Sequence, residues 1–146
     1  MRNPEQLKLL REHRELLPRA IEEILRYDGP VQATVRFPKA AAEVGGTEIP
    51  AGTVAFVILA AANRDPAKFP QPEKFDITRD PNDHVAFGEG IHFCIGAPLA
   101  RLEAAIAFAV TLDRFSHLSL KDPEFKPKYK GSYGVRGLES LPLLIE

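Results

Sequence analysis

The chain has 146 residues, enough for one domain with a core of its own. Its 19 basic and 20 acidic residues leave a formal charge of −1, which excludes a global electrostatic pull toward nucleic acid or anionic lipid. The first residues lack the basic start and apolar run of a signal peptide, and no apolar stretch approaches membrane-spanning length, so neither secretion nor a membrane is expected. One cysteine rules out an intrachain disulfide framework and suits a reducing cytoplasm, the location expected. The 13 prolines predict a chain much interrupted by loops.

In chain order, Asn3-Pro4-Glu5-Gln6 reads as a helix cap, a proline in the first turn and a capping-box glutamine, and it predicts a helix with Leu7, Leu10 and Leu9 turned inward. A second helix starts near Pro18, puts Ile21, Ile24 and Leu25 on its apolar side and stops at Asp28-Gly29-Pro30. Residues 31–37 read as a strand and residues 43–49 as a hairpin on Gly45-Gly46. Residues 53–59 read as a buried strand and residues 60–63 as a helical turn. Residues 65–83, broken by Pro66, Pro70, Pro72 and Pro81, have no periodicity and read as a meander. A long helix is predicted from Pro98 to about Phe115, with Leu99, Leu102, Ile106 and Val110 or Ala109 along its apolar stripe. Residues 133–145 form the last predicted hairpin. The fold class expected is α+β, without repeats or an internal domain boundary.

The chemistry concentrates in Phe87-Gly88-Glu89-Gly90-Ile91-His92-Phe93-Cys94-Ile95-Gly96. A lone thiol in a glycine-rich loop just before a helix meets positive potential from backbone N–H groups, which favours the thiolate. Glycines allow close approach of a flat cofactor, and Phe87 and Phe93 can shield the sulfur from water. A buried, inert cysteine is the plain alternative. Zinc held by His84, His92 and Cys94 is a poor one, lacking a fourth ligand and short-spaced pairs.

This stretch resembles the cysteine-ligand loop of cytochrome P450, F-x-x-G-x-[HR]-x-C-x-G, and Phe87, Gly90, His92, Cys94 and Gly96 fill its fixed positions. The flanks, His84-Val85-Ala86 and Ala97-Pro98-Leu99-Ala100-Arg101-Leu102-Glu103, resemble the bacterial soluble branch. Glu23-Ile24-Leu25-Arg26 is similar to the family's E-x-x-R helix, and Arg79 falls where the family places a third partner. Glu23 and Arg26 lie three apart on one helical face, where a guanidinium can grip a carboxylate with two donors. The resemblance implies that Glu23, Arg26 and Arg79 form a buried cluster locking the meander.

It also implies haem b, with Cys94 as axial thiolate and with Phe87, Gly88 and Gly96 around it. Arg36 and His92 match the family's propionate contacts; His84 is a weaker candidate. Val31, Gln32 and Ala33, with Gly134 and Val135, resemble substrate-side segments, and Arg101 is placed to meet an acidic redox partner. The implied activity is insertion of one oxygen atom from O2 into a small hydrophobic organic substrate, with electrons from a ferredoxin or flavodoxin-type partner.

Members of that family are considerably longer. The resemblance makes residues 1–146 a partial cytochrome P450 domain: E-x-x-R helix, small antiparallel sheet, meander, cysteine loop, long proximal helix and terminal hairpin. It lacks the N-terminal portion and the distal helix with its oxygen-activating acid–alcohol pair. The apolar faces of the long helix and strands are therefore expected to be exposed. Three readings stay open: the C-terminal portion of a bacterial-type monooxygenase, as a truncated product or as one half of a split enzyme; a truncated haem-binding module; and a non-catalytic remnant that pairs its exposed face with another protein.

Overall fold

The computed structural model describes residues 3–130 and 134–146. It opens with α1 (Pro4–Glu12), a single 3-10 turn (Arg14–Leu16) and α2 (Leu17–Asp28). Asn3 makes no side-chain cap, and Gln6 does not complete a capping box. Instead the Gln6 side-chain Oε1 accepts the Ile77 N–H at 2.9 Å, tying α1 to the meander. Leu10 is buried as predicted, with Leu7 and Leu9 packed against the same cluster.

The strands are β1 (Thr34–Arg36), β2 (Ala42–Val44), β3 (Thr47–Ile49) and β4 (Ala55–Val57), and the short helix α3 (Leu59–Ala62) follows them. β2 and β3 form the predicted hairpin, with Gly45 and Gly46 at φ 58° and 78°, the left-handed pair that a two-residue turn requires. β1 pairs antiparallel with β4, Val35 opposite Phe56. Of residues 53–59, expected to be buried, only Leu59 is; Val54, Phe56, Val57 and Ile58 are exposed.

The meander holds no regular element between α3 and the 3-10 turn Gly90–His92, which leads into α4 (Ala97–Arg114). The tail contributes β5 (Leu118–Leu120), β6 (Tyr129–Lys130), β7 (Gly137–Leu138) and β8 (Leu143–Ile145). The predicted hairpin over 133–145 is replaced by two pairings. β6 pairs with β7, while β8 returns to pair with β5, Leu118 opposite Ile145. Tyr133, where that hairpin was to begin, lies outside the described residues. Among the described residues the strands thus pair as four two-stranded antiparallel sheets.

The core is small. Leu10, Ala20, Ile77 and Leu112 join α1, α2, the meander and α4, with Leu16, Leu17 and Phe75 packed around them. An apolar cavity of about 350 Å³ lined by Leu10, Ile24, Phe75, Phe108 and Leu112 lies beside it. The apolar stripe that periodicity locates on α4 lies open, the exposure expected for a chain that matches only part of the longer family members. Leu99, Leu102, Ile106 and Val110 are 56–59% exposed, whereas Ala97 and Leu112 are the buried positions.

Leu112→Ala is therefore expected to cost about 2–5 kcal/mol in urea unfolding, as for other core truncations. Leu102→Ser with Ile106→Ser is expected to leave the urea midpoint nearly unchanged and to reduce self-association in sedimentation velocity.

Candidate functional site

Two neighbouring carboxylates on α2 organise the site. Glu23 and Arg26 are 0% and 1% exposed. Arg26 donates from Nε to Glu23 Oε2 at 2.8 Å and from Nη2 to Oε1 at 2.9 Å. Its remaining donors reach the carbonyls of Asn63, Pro72 and Lys74 at 2.9, 3.0 and 3.1 Å, so the whole guanidinium fork is used.

Glu23 also accepts from the Asp76 N–H at 2.9 Å, from Arg79 Nε at 3.2 Å and from Asn82 Nδ2 at 3.1 Å. Arg79 in turn donates to the Pro70, Gln71 and Lys74 carbonyls. The meander has no ladder of its own, and these bonds satisfy its backbone in place of one. The cluster implied for Glu23, Arg26 and Arg79 is present in full geometry.

Asn63, which the sequence offered only as a helix end, fixes the root of the cysteine loop. It is buried, and its Oδ1 accepts the Val85 N–H at 2.8 Å. In the loop the Cys94 N–H donates to the Phe87 carbonyl at 2.9 Å, and the Ala97 N–H of α4 donates to the Cys94 carbonyl at 3.2 Å. Gly88 has φ 74°, a left-handed conformation that side chains rarely adopt, so glycine is needed there for the backbone turn. Gly96 has φ −82°, and a Cβ on it would stand 3.7 Å from the Cys94 sulfur, an ordinary contact. The Phe87 and Phe93 rings meet edge-on at 6.4 Å. Cys94 itself is exposed.

An open concavity of about 300 Å³ brings Cys94, His92, Phe87, Gly88 and Arg36 together with the apolar wall of Leu25, Val31, Leu59 and Ala86. Arg36 uses Nη1 on Thr34 Oγ1 and the Val35 carbonyl, and its Nε and Nη2 donate to nothing among the described residues. Of the substrate-side candidates, Val31 lines the concavity and bridges to Val135. Gln32 and Ala33 do not line it. The Gln32 N–H donates to the Gly134 carbonyl, and its side-chain amide bends back to the Gly29 carbonyl.

His84, the weaker haem-contact candidate, does not line the concavity. It is buried beside Phe87, 6.3 Å between ring centres, and both His84 and Arg101 bond to Glu22. Arg101 is therefore engaged by a carboxylate of its own chain. Among the described residues no group of three or more His, Cys, Asp or Glu side chains is arranged to hold a metal ion.

Comparison with known proteins accounts for this arrangement. A cytochrome P450 family profile matches residues 7–144. The chain is 50% identical over 142 residues, 97% of its length and 34% of the relative's, to the cytochrome P450 monooxygenase PikC of Streptomyces venezuelae. It is 45% identical over its full length, and over 36% of the relative, to the biotin biosynthesis cytochrome P450 of Bacillus subtilis. Among solved structures, tirandamycin C-bound P450 monooxygenase TamI superposes with a TM-score of 0.95 at 46% identity, covering 100% of this chain and 37% of that one.

The chain belongs to the cytochrome P450 family. It corresponds to the C-terminal portion of bacterial members and spans about a third of the length of the relatives it matches. No helix among the described residues is long and apolar enough to cross a membrane.

The residues present fit haem: an accessible thiol, an arginine whose Nε and Nη2 have no partner among the described residues and a histidine surround a concavity with an apolar wall.

Glu23→Ala would leave two guanidinium groups facing a buried space with no carboxylate. We expect a loss of about 3–5 kcal/mol in urea unfolding, as when one partner of a buried pair is removed. Removing the exposed Glu12 partner of Lys8 should leave the midpoint where it was.

Acid should weaken the chain in two stages. Burial holds His84 below its ordinary value of 6.5, so the unfolded chain takes up that proton first. This contribution is complete above pH 6.5 and is lost as pH falls through the folded value. Hydrogen bonds from Arg101 hold Glu22 below 4.5, which adds a loss of the same sign at lower pH. Urea midpoints from pH 7.5 downward should fall, and His84→Gln should flatten the first stage.

Proposed function

We propose that this chain is the haem-holding, thiolate-side part of a bacterial-type cytochrome P450 monooxygenase, a partial domain over residues 1–146. The observation that carries the reading is the single concavity shared by Cys94, Arg36 and His92. Cys94 ligates the iron, Arg36 and His92 take the propionates, and Phe87, Gly88 and Gly96 shape the loop around the sulfur. Haem bound through a thiolate supplies oxygen activation and transfer of one oxygen atom to a C–H bond.

The remaining work belongs to the chain. The Cys94 N–H bond to Phe87 and the left-handed Gly88 fix the direction of the sulfur. The aromatic pair limits water on that side, and the free Arg36 donors suit a carboxylate. Val31 and its bridge partner Val135 border the substrate side, with Gln32 and Ala33 following Val31 along the chain but off the concavity, and the substrate is a small hydrophobic organic molecule. Electrons come from a ferredoxin or flavodoxin-type partner in the cytoplasm.

The exposed α4 stripe supports completion by a polypeptide that occupies the place of the relatives' remaining length, supplied by a separate chain as in a two-part enzyme. The same exposure supports a second reading, in which the chain by itself holds haem without oxygenating anything.

Haem titration of the purified chain tests the shared step. One haem per chain is expected, with Arg36→Ala and His92→Ala each weakening binding about tenfold, the effect of one charge-assisted hydrogen bond. Uptake indifferent to Cys94→Ala, Arg36→Ala and His92→Ala alike would contradict both readings. Oxygenation recovered only on adding the complementary polypeptide and a ferredoxin would separate the first from the second.

A further inference from the structure

Glu22 stands beside the Glu23 cluster on α2 but faces a different part of the molecule, since consecutive helical residues project about 100° apart. Its carboxylate accepts two bonds from Arg101, Nε to Oε1 at 2.7 Å and Nη2 to Oε2 at 2.8 Å. It also meets His84 Nε2 at 3.0 Å. The Ala86 N–H approaches His84 Nδ1 at 3.2 Å, which makes Nδ1 the acceptor and puts the proton on Nε2, aimed at Glu22. The His84 side chain is 2% exposed, so this tautomer is held without competition from water.

Both partners of Glu22 rest on the same ring. The Arg101 guanidinium lies 4.7 Å from the centre of Phe87, His84 packs on it at a tilt of 47°, and Phe93 meets it edge-on. Phe87 is also the residue whose carbonyl receives the Cys94 N–H.

We infer that Glu22 is a positioning residue for Cys94, acting through Arg101 and His84 on Phe87 and so coupling α2 to the loop that presents the thiol. Arg101 comes from the first turns of α4, whose start immediately follows the loop, and His84 comes from the segment entering it. One carboxylate thus gathers the chain on both sides of Cys94. Exposed ion pairs usually contribute little, but here the fork is bidentate, shared with a buried histidine and stacked on an aromatic ring, so its geometry is fixed. The coupling acts on the loop whether or not haem is bound.

The test uses the haem-free chain. Amide hydrogen exchange at Cys94 and the rate of Cys94 alkylation by iodoacetamide are measured for Glu22→Gln, for Arg101→Lys and for Asp113→Asn. Arg101→Lys keeps the charge but loses the fork, while Asp113→Asn cuts an exposed pair with Arg14 near the other end of α4. The Asp76 amide, bonded to Glu23, serves as internal reference.

Cys94 exchange and alkylation should both rise about tenfold in Glu22→Gln and Arg101→Lys, with Asp76 unchanged and Asp113→Asn like the parent. Cys94 values equal to the parent in these variants would overturn the assignment. So would equal acceleration at Cys94 and Asp76, which marks a general loss of stability. If Glu22→Gln does not fold, Arg101→Lys decides by the same criteria.

Discussion

The fold depends on one buried charge. Glu23 sits where no water reaches it, and a carboxylate there is tolerable only because Arg26, Arg79, Asn82 and the Asp76 N–H all donate to it. Arg26 then distributes its remaining donors over three backbone carbonyls from α3's end and the meander. A segment with no helix or strand is thereby fixed as firmly as if it had one. The hydrophobic cluster around Leu10 and Leu112 adds packing below it, but that cluster is too small to set the path of residues 65–83 alone.

From this anchor the order passes to the cysteine loop. Asn63 receives the Val85 N–H on one side, and Glu22 gathers Arg101 and His84 on the other. A short run of α2 thus addresses both the meander and the loop. The concavity beside Cys94 then needs little reorganisation to accept a planar cofactor, which is the sense in which a site is preorganised.

Spacing made part of this legible. Glu23 and Arg26 are three residues apart, so their pairing follows from helical geometry, and the positions around Cys94 are close enough in sequence to be read as one loop. Gly45-Gly46 announced its turn for a similar local reason. Glu22 gave no such signal, because its partners lie 62 and 79 residues away and an exposed role for a helix glutamate is the ordinary one. Gln6 was misread because a capping box and a long-range acceptor share the same residue at the same place. The strand at Ala55–Val57 was read as buried because periodicity and β-branched composition identify an apolar segment, not what covers it; the open α4 stripe followed from the short length of the chain rather than from its pattern. For a chain spanning about a third of its relatives, that distinction decides how much surface stays open.

The most direct measurement is the absorption spectrum of the haem-reconstituted chain, reduced under carbon monoxide, beside that of Cys94→Ala. A Soret band displaced far to the red of a histidine-ligated haem, and lost in Cys94→Ala, is the predicted result: these residues alone present a thiolate to iron. A spectrum of the ordinary histidine type, the same with and without Cys94, would contradict it.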